Sequence, residues 1–265
     1  MDLDQYFTPL WLAEALVERH FARLGAGDIA LEPCCGEGAF LAAIPRAVPA
    51  YGVEIDAAVA ARARSLTGRD VIAGDFRTVE LEARPTAIIG NPPFNVRFIK
   101  AMLDRCWLLL PEEGRAGLIL PAYFFQTAHT VVDLGEHWSI AQEMIPRNAF
   151  HSRMATELVF ALFTKDRRRE LVGFALYRET ADVLEMHPAY REALAKATGS
   201  AWRAVCELAL RHLGGRATLA QIYAQLERNR PSRTQFWREK IRQTLRTYSE
   251  SFRALDVGLY EVITC

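Results

Sequence analysis

Residues 86–94 have the sequence TAIIGNPPF, in which a short apolar run is followed by an amide, two prolines and an aromatic residue. The apolar part is rich in β-branched residues and predicts a buried parallel strand. The tetrapeptide Asn91-Pro92-Pro93-Phe94 then falls at the carboxyl end of that strand, where open α/β sheets place their functional sites. Because prolines disfavour helical backbone before them and lack an N–H, we expect a stiff, extended turn there.

Such a turn has the groups needed to bind an exocyclic amino group. The side-chain oxygen of Asn91 and the backbone carbonyl of Pro92 would each accept one N–H. Two acceptors outside the ring plane would draw the nitrogen toward tetrahedral geometry and free its lone pair for attack. The ring of Phe94 would stack on a base. The alternative is an ordinary turn after a core strand, with Phe94 as a packing residue.

Strand patterns followed by helix patterns recur on both sides of this turn. They predict repeated β-then-α units and therefore a doubly wound, Rossmann-like α/β sheet. The strand patterns lie in residues 29–41 (with a glycine-containing turn and a helix start), 51–56, 71–76, 86–90, 115–121, 139–145, 157–163 and 171–177.

Acidic residues stand at the ends of three of these strands. Glu32 ends the first and suits an ammonium group, and Glu54 ends the second and suits a ribose diol. Asp75 follows the third strand and suits an adenine amino group. Phe76 would stack on the adenine ring. The alternative for Glu54 is a surface carboxylate that caps the helix after Asp56.

Length and composition indicate a globular chain. Its 265 residues suit one α/β domain and a small second one, and 51% hydrophobic residues exclude a disordered chain. No stretch approaches the roughly 20 apolar residues of a membrane span, and the acidic residues 1–5 are unlike a signal peptide. The five cysteines form no Cys-x-x-Cys pair. We therefore expect no metal site, no disulfide framework and a cytoplasmic location.

Charge is distributed unevenly along the chain. Residues 200–265 contain 11 lysines and arginines against 6 acidic residues, whereas residues 1–199 contain 21 against 26. Three helix patterns and a hairpin in the basic part predict a winged-helix-like domain. We therefore expect a catalytic domain over residues 1–180, a helical linker over 181–199 and a recognition domain over 200–265.

The third helix of the basic part, residues 233–248, is predicted to contact DNA, with charges for phosphates and a planar amide for a base edge. The alternative is a solvated basic helix in an interaction module. Phe150, in a polar and basic loop, is either a second stacking platform or a buried loop residue. The candidate contacts on and near the third helix are Arg233, Gln235, Arg238, Lys240 and Arg242.

Five motifs in this order resemble those of the gamma-class adenine-N6 DNA methyltransferases of bacterial and phage modification systems. The resemblance covers about residues 5–165, and Phe94 replaces the tyrosine that is commoner in this class. The winged helix is less typical of the class and rests on pattern alone. The motifs are Phe7-Thr8-Pro9, Glu32-Pro33 with Gly36, Gly38 and Phe40, Gly52 to Asp56, Gly74-Asp75-Phe76, and Asn91-Pro92-Pro93-Phe94.

The resemblance implies S-adenosylmethionine as methyl donor and duplex DNA as substrate, with the target adenine flipped out of the helix. Asn91 and Pro92 would accept from N6, and Phe94 and Phe150 would stack on the ring. Catalysis would rest on positioning, without a covalent intermediate or a metal. We do not expect Cys34 or Cys35 to act as a nucleophile.

The resemblance also implies roles in cofactor binding. Thr8 and Glu32 would lie near the methionine end, with Gly36 and Gly38 close against the cofactor. Glu54 would bind the ribose, Ile55 and Phe76 would surround the adenine, and Asp75 would bind its amine. The remaining expected contacts are Phe7, Pro9, Pro33 and Asn91.

Two alternatives stay open at this point. An RNA methyltransferase would use the same amine chemistry, and winged helices also bind RNA. The other alternative is a non-catalytic, winged-helix DNA-binding regulator with a relic methyltransferase domain. The intact acids at positions 32, 54 and 75 argue against this alternative.

Overall fold

A computed structural model of the chain describes residues 8–150, 156–175, 177–197, 199–232 and 234–263. Phe7 and Arg233, both predicted site residues, lie outside this description. The chain divides into two compact units, Met1–Phe174 and Ala175–Cys265. The boundary therefore lies earlier than the predicted one at residue 180.

The first unit alternates strands and helices. Its strands are β1 (Ala30–Pro33), β2 (Ala50–Glu54), β3 (Asp70–Ala73), β4 (Ala87–Gly90), β5 (Arg115–Pro121), β6 (Ser139–Ile145), β7 (Leu158–Thr164) and β8 (Leu171–Val172). Its helices are α1 (Leu10–Phe21), α2 (Ala39–Ala43), α3 (Ala57–Thr67), α4 (Val96–Leu109) and α5 (Ala128–Gly135), with 3₁₀ turns over Ala122–Phe125 and Arg147–Ala149.

These strands form one sheet in the order β3-β2-β1-β4-β5-β7-β6-β8. Strands β1 to β5 are parallel, and β7 lies antiparallel between β5 and β6. The strand order reverses between β1 and β4, which makes their carboxyl ends the topological switch point of the sheet. The predicted doubly wound, mostly parallel sheet is confirmed.

The two strands at the switch point are buried along their whole length. The apolar run of β4 explains its burial, since parallel strands are covered on both faces, whereas β1 buries the carboxyl of Glu32 between apolar residues. At the end of β4, a Cβ on Gly90 would lie 3.1 Å from the carbonyl oxygen of Pro33 in β1. Glycine therefore allows the two strand ends to approach closely just before Asn91.

Helix α1 begins one residue later than an N-cap at Thr8 would require. The N-cap is Pro9, whose carbonyl accepts from the backbone N–H of Leu12 and of Ala13. Thr8 is therefore not the N-cap of this helix. Its hydroxyl contacts Asn91 instead.

The second unit contains five helices and a small antiparallel sheet among its described residues. The helices are α6 (Tyr177–Glu185), α7 (Pro188–Lys196), α8 (Ala201–His212), α9 (Leu219–Leu226) and α10 (Trp237–Thr247). The strands are β9 (Arg216–Thr218), β10 (Phe252–Asp256) and β11 (Leu259–Val262), in the order β10-β11-β9.

The predicted linker is part of this second unit. Helix α7 contributes Tyr190 to the core that also contains Trp202 and Ile241, so the segment packs rather than connects. The strand predicted over residues 171–177 is also shorter than expected, because α6 begins at Tyr177.

Candidate functional site

Asn91 follows β4 directly, at the switch point of the sheet. Its side-chain Nδ2 donates to the hydroxyl of Thr8 at 3.2 Å. Pro92 is buried and Pro93 is exposed. The turn closes onto α4, since the backbone N–H of Asn95 donates to the carbonyl of Pro93 at 2.9 Å. Thr8 therefore binds the amide side chain, and the start of α4 fixes the backbone that follows it.

Phe94 is the next residue of this turn. Its ring is partly buried and packs against the core of the first unit. Its carbonyl accepts a 2.7 Å hydrogen bond from the hydroxyl of Tyr123. Tyr123 was not among the predicted site residues. Its signal in the sequence is an aromatic residue two positions after the fifth strand pattern.

The turn after β1 alternates left-handed residues. Cys34, Gly36 and Gly38 have φ angles of 52°, 53° and 84°. Left-handed backbone is unfavourable for cysteine, so the surrounding contacts must hold it. One of these contacts joins the turn to β2, because the backbone N–H of Gly36 donates to Glu54 at 2.8 Å.

Glu54 is buried at the end of β2, where its other oxygen accepts from the backbone N–H of Asp56 at 3.1 Å. Asp56 itself caps α3 by accepting from Ala58 and Val59. The alternative role of Glu54 as a surface cap of this helix is therefore wrong. Ile55 follows and is 60% exposed, so the turn presents an apolar side chain beside a buried carboxylate.

Glu32 has two local partners within the first unit. Its carboxylate accepts from the backbone N–H of Leu41 at 2.8 Å and of Phe40 at 3.3 Å, in the first turn of α2. Burial raises the pKa of this carboxyl to about 8, and the two backbone donors oppose the rise. A carboxylate has further acceptor sites, so its role at a cofactor stays a prediction.

Asp75 is held by Arg77. The guanidinium donates to both carboxylate oxygens of Asp75, with Nη2 at 2.6 Å, and lies over the ring of Phe98. The hydrogen bond from Arg77 holds the pKa of Asp75 below its usual range. Any ligand amine that binds Asp75 therefore shares it with, or displaces, a strong donor.

Two aromatic residues predicted to stack are core residues instead. Phe76 is 2% exposed, and the guanidinium of Arg105 lies over its ring at 5.3 Å. Phe150 is 6% exposed and belongs to the core of the first unit. These positions correct the stacking roles expected for both residues, and for Phe150 they match the alternative of a buried loop aromatic.

The thiols beside the glycine turn are poorly suited to nucleophilic attack. Burial raises the pKa of Cys34 to about 12, and it raises the pKa of Cys35 as well. A thiol with so high a pKa stays protonated near neutral pH.

Among the residues that the structure describes, no cluster of three or more His, Cys, Asp or Glu side chains suits a metal ion. Within the same residues, no helix combines the length and apolar character that crossing a bilayer requires.

The predicted recognition residues lie on and just before α10. Gln235, Arg238 and Lys240 are exposed. The guanidinium of Arg238 lies 4.9 Å from the ring centroid of Trp237 and 5.7 Å from that of Tyr223.

Arg242, one helical turn further along α10, is less available. It donates to the hydroxyl of Tyr223 at 3.4 Å and forms an ion pair with Glu239. Arg238 and Lys240 are therefore more exposed than Arg242 on α10.

No family model matches the chain. Among solved structures, a candidate class I S-adenosylmethionine-dependent methyltransferase from Listeria monocytogenes matches 65% of this chain over 66% of its own, with a TM-score of 0.53 and 15% identity. The 23S rRNA methyltransferase ErmE matches 84% of this chain over 99% of its own, with a TM-score of 0.50 and 20% identity.

A modification subunit of a candidate type I restriction enzyme from Vibrio vulnificus YJ016 matches 61% of this chain over 44% of its own, with a TM-score of 0.48 and 15% identity. This chain thus spans just under two thirds of the Listeria protein and under half of the Vibrio protein. The first unit has the Rossmann-like fold of the class I S-adenosylmethionine-dependent methyltransferases, which confirms the α/β part of the predicted fold class.

Proposed function

We propose that this chain transfers a methyl group from S-adenosylmethionine to the N6 amino group of adenine in duplex DNA. The observation that supports this most strongly is the position of Asn91. It follows β4 at the switch point of a methyltransferase-type sheet, with its amide nitrogen bound to Thr8 and two prolines after it. The amide nitrogen donates to the Thr8 hydroxyl, and the amide oxygen is the atom that would accept from a target amine.

The residues around β1 to β3 fit the cofactor. Glu32, Glu54 and Asp75 stand at or just after the carboxyl ends of three neighbouring strands. A nearby cation favours the ionised form of a carboxyl, so a cationic ligand would lower the raised pKa of Glu32 and be complemented by all three acids. The exposed apolar side chain of Ile55 beside buried Glu54 suits a nucleoside, with the carboxylate for the ribose and Ile55 for the base. When bound, S-adenosylmethionine supplies an electrophilic methyl group on a sulfonium.

The turn residues act on the target amine. The side-chain oxygen of Asn91 and the carbonyl of Pro92 accept its two N–H groups and hold its lone pair toward the methyl group, while Phe94 packs against the ring. Bound S-adenosylmethionine would supply the methyl group: the target nitrogen would form the new N–C bond as the C–S bond breaks with its electron pair on sulfur, and the nitrogen would then release one proton to water. Orientation of this kind accounts for a large part of the rate of a two-substrate reaction.

Duplex DNA is the favoured substrate because of the second unit. The order expected of a winged helix is a helix, a short strand, two further helices and a hairpin, and α8, β9, α9, α10 and β10–β11 follow this order. On and just before α10, Arg238, Lys240 and Gln235 are exposed. Cations bind phosphates and a planar amide binds a base edge.

A second candidate is transfer to an adenine amino group in RNA. The likeness to ErmE, an rRNA methyltransferase, covers 84% of this chain, whereas the first unit ends at Phe174 of 265 residues. That likeness therefore extends into the second unit, and this is the observation that favours an RNA substrate.

The test uses labelled S-adenosylmethionine with the purified protein and, in separate reactions, unmethylated bacterial genomic DNA or total RNA. The products are digested and their nucleosides identified. We expect labelled N6-methyldeoxyadenosine from DNA. Label in RNA alone would replace the first proposal by the second candidate, and binding of S-adenosylmethionine without label in either nucleic acid would overturn both.

A further inference from the structure

Tyr123 lies just after β5, the strand next to the one that leads into the candidate site. It belongs to the 3₁₀ turn Ala122–Phe125, which follows β5 directly, and β5 pairs with β4 up to Gly90. The tyrosine therefore stands at the same edge of the sheet as Asn91 to Phe94. It is 40% exposed, so no tight packing of its ring accounts for its position.

The backbone that carries Tyr123 is firmly held. The neighbouring side chains of Phe124 and Phe125 are buried and contact each other edge to face. The backbone N–H of Ala122 donates to the carbonyl of Glu157 at 2.8 Å. These contacts fix the turn, in which the side chains of Phe124 and Phe125 are buried and the side chain of Tyr123 is exposed.

The hydroxyl of Tyr123 donates to the carbonyl of Phe94 at 2.7 Å, a short hydrogen bond between neutral groups. This bond fixes the peptide that carries the Phe94 ring. The other side of the same turn is fixed by the bond from the Asn95 N–H to the Pro93 carbonyl and by the N-cap of α4 at Asn95. The tyrosine hydroxyl is therefore one of the groups that hold the Phe94 peptide in place.

We propose that Tyr123 is a positioning residue of the methyl-transfer reaction. Its hydroxyl holds the Phe94 peptide so that the Phe94 ring and the Pro92 carbonyl meet the target base in fixed relative positions. The inference rests on the proposed function, because it assigns to Tyr123 the orientation of the turn that binds the target amine. Orientation affects the transfer step more than cofactor binding.

The experiment compares Tyr123→Phe with a matched control, Tyr51→Phe. The hydroxyl of Tyr51 also donates to a backbone carbonyl, that of Ala83 at 2.6 Å, but on the loop between β3 and β4. Each variant loses one phenol-to-carbonyl hydrogen bond and keeps its ring. Methyl transfer to the nucleic acid that the wild-type protein methylates gives kcat and KM, and hydrogen–deuterium exchange reports the opening of residues 91–99.

We expect Tyr123→Phe to lower kcat about tenfold, equivalent to about 1.4 kcal/mol in the barrier. The KM for S-adenosylmethionine and the melting temperature should stay unchanged, and residues 91–99 should exchange faster. Tyr51→Phe should leave kcat and this exchange unchanged. An unchanged kcat and unchanged exchange in Tyr123→Phe would overturn the inference.

Failure of the proposed function is distinguishable from failure of this inference. If the wild-type protein methylates neither DNA nor RNA, the proposed function fails and the exchange measurement still tests the contact. Faster exchange of residues 91–99 in Tyr123→Phe alone would then support the positioning of the turn. Equal exchange in both variants would overturn it.

Discussion

The side-chain nitrogen of Asn91 donates a 3.2 Å hydrogen bond to the hydroxyl of Thr8, a residue 83 positions earlier in the chain. An asparagine amide has one accepting end, its oxygen, and one donating end, its nitrogen. The contact joins the residue before the cap of α1 to the turn after β4, so Thr8 takes part in positioning the Asn91 side chain.

Removing the Thr8 hydroxyl should therefore lower activity without removing Asn91. We expect Thr8→Val to reduce kcat for methyl transfer about tenfold, since the amide loses the hydrogen bond that orients it. Thr8→Ser keeps the hydroxyl and should retain most of the activity. Equal losses in the two variants would show that the methyl group or the backbone, and not the hydroxyl, is what matters.

Asn91→Ala should abolish methyl transfer and keep cofactor binding. The variant removes one of the two proposed acceptors of the target amine, for which we expect a loss of at least about a hundredfold in kcat. Calorimetry with S-adenosylmethionine should give a dissociation constant near that of the wild type. The exposed Asn148→Ala serves as the control. Formation of N6-methyladenine by Asn91→Ala at nearly the wild-type rate would show that the assignment is wrong.

The buried Glu32 carboxyl should make stability depend on pH. Burial raises its pKa to about 8, from 4.5 as the unperturbed value, so between these values the folded protein holds a proton that the unfolded chain has released. The contribution of Glu32 to stability is therefore greatest below pH 4.5 and is lost as the pH rises through 8.

Urea unfolding of the wild type and of Glu32→Gln between about pH 5 and pH 8 tests this. The wild type should lose about 1 kcal/mol of unfolding free energy per pH unit relative to the variant, because glutamine does not titrate. Glu14→Gln, at an exposed position of α1, is the control and should follow the wild type. Parallel curves for the wild type and Glu32→Gln would show that Glu32 is already ionised in the folded protein.

Arg238 and Lys240 should set the affinity for nucleic acid. We expect Arg238→Ala and Lys240→Ala each to weaken binding to duplex DNA and to reduce the slope of log K against log salt by about 1 if the cation contacts a phosphate. Arg211→Ala, an exposed cation on α8, is the matched control and should change neither quantity. A salt dependence that all three variants share would place the DNA contact elsewhere.

The fold was largely predictable because its central strands are apolar and short. The patterns over residues 115–121 and 139–145 coincide with β5 and β6. The fold of the region after residue 171 was not predictable in this way, because its mixed composition fits a strand, a linker or a helix equally well. Packing decides it, since Tyr190 of α7 is buried with the helices that follow.

The site was predictable in its polar residues and less so in its aromatic ones. Asn91, Glu32 and Glu54 stand where the strand pattern placed them, because a strand end fixes a residue within one or two positions. Whether Phe76 or Phe150 faces a ligand or the core depends on neighbours far away in sequence, and both are buried. Tyr123 shows the converse: its place after the fifth strand pattern is visible in the sequence, but its contact with Phe94, which joins the turns after two strands, is not.

The insertion of β7 between β5 and β6 has a consequence for the nascent chain. Strand β5 pairs with β7 along its whole length, from Arg115 with Thr164 to Pro121 with Leu158. During synthesis, β5 and β6 are therefore both complete while the strand that joins them is still missing. Until residue 164 has left the ribosome, the apolar edge of β5 is open to pairing with other chains, so a truncation before that point should aggregate during translation.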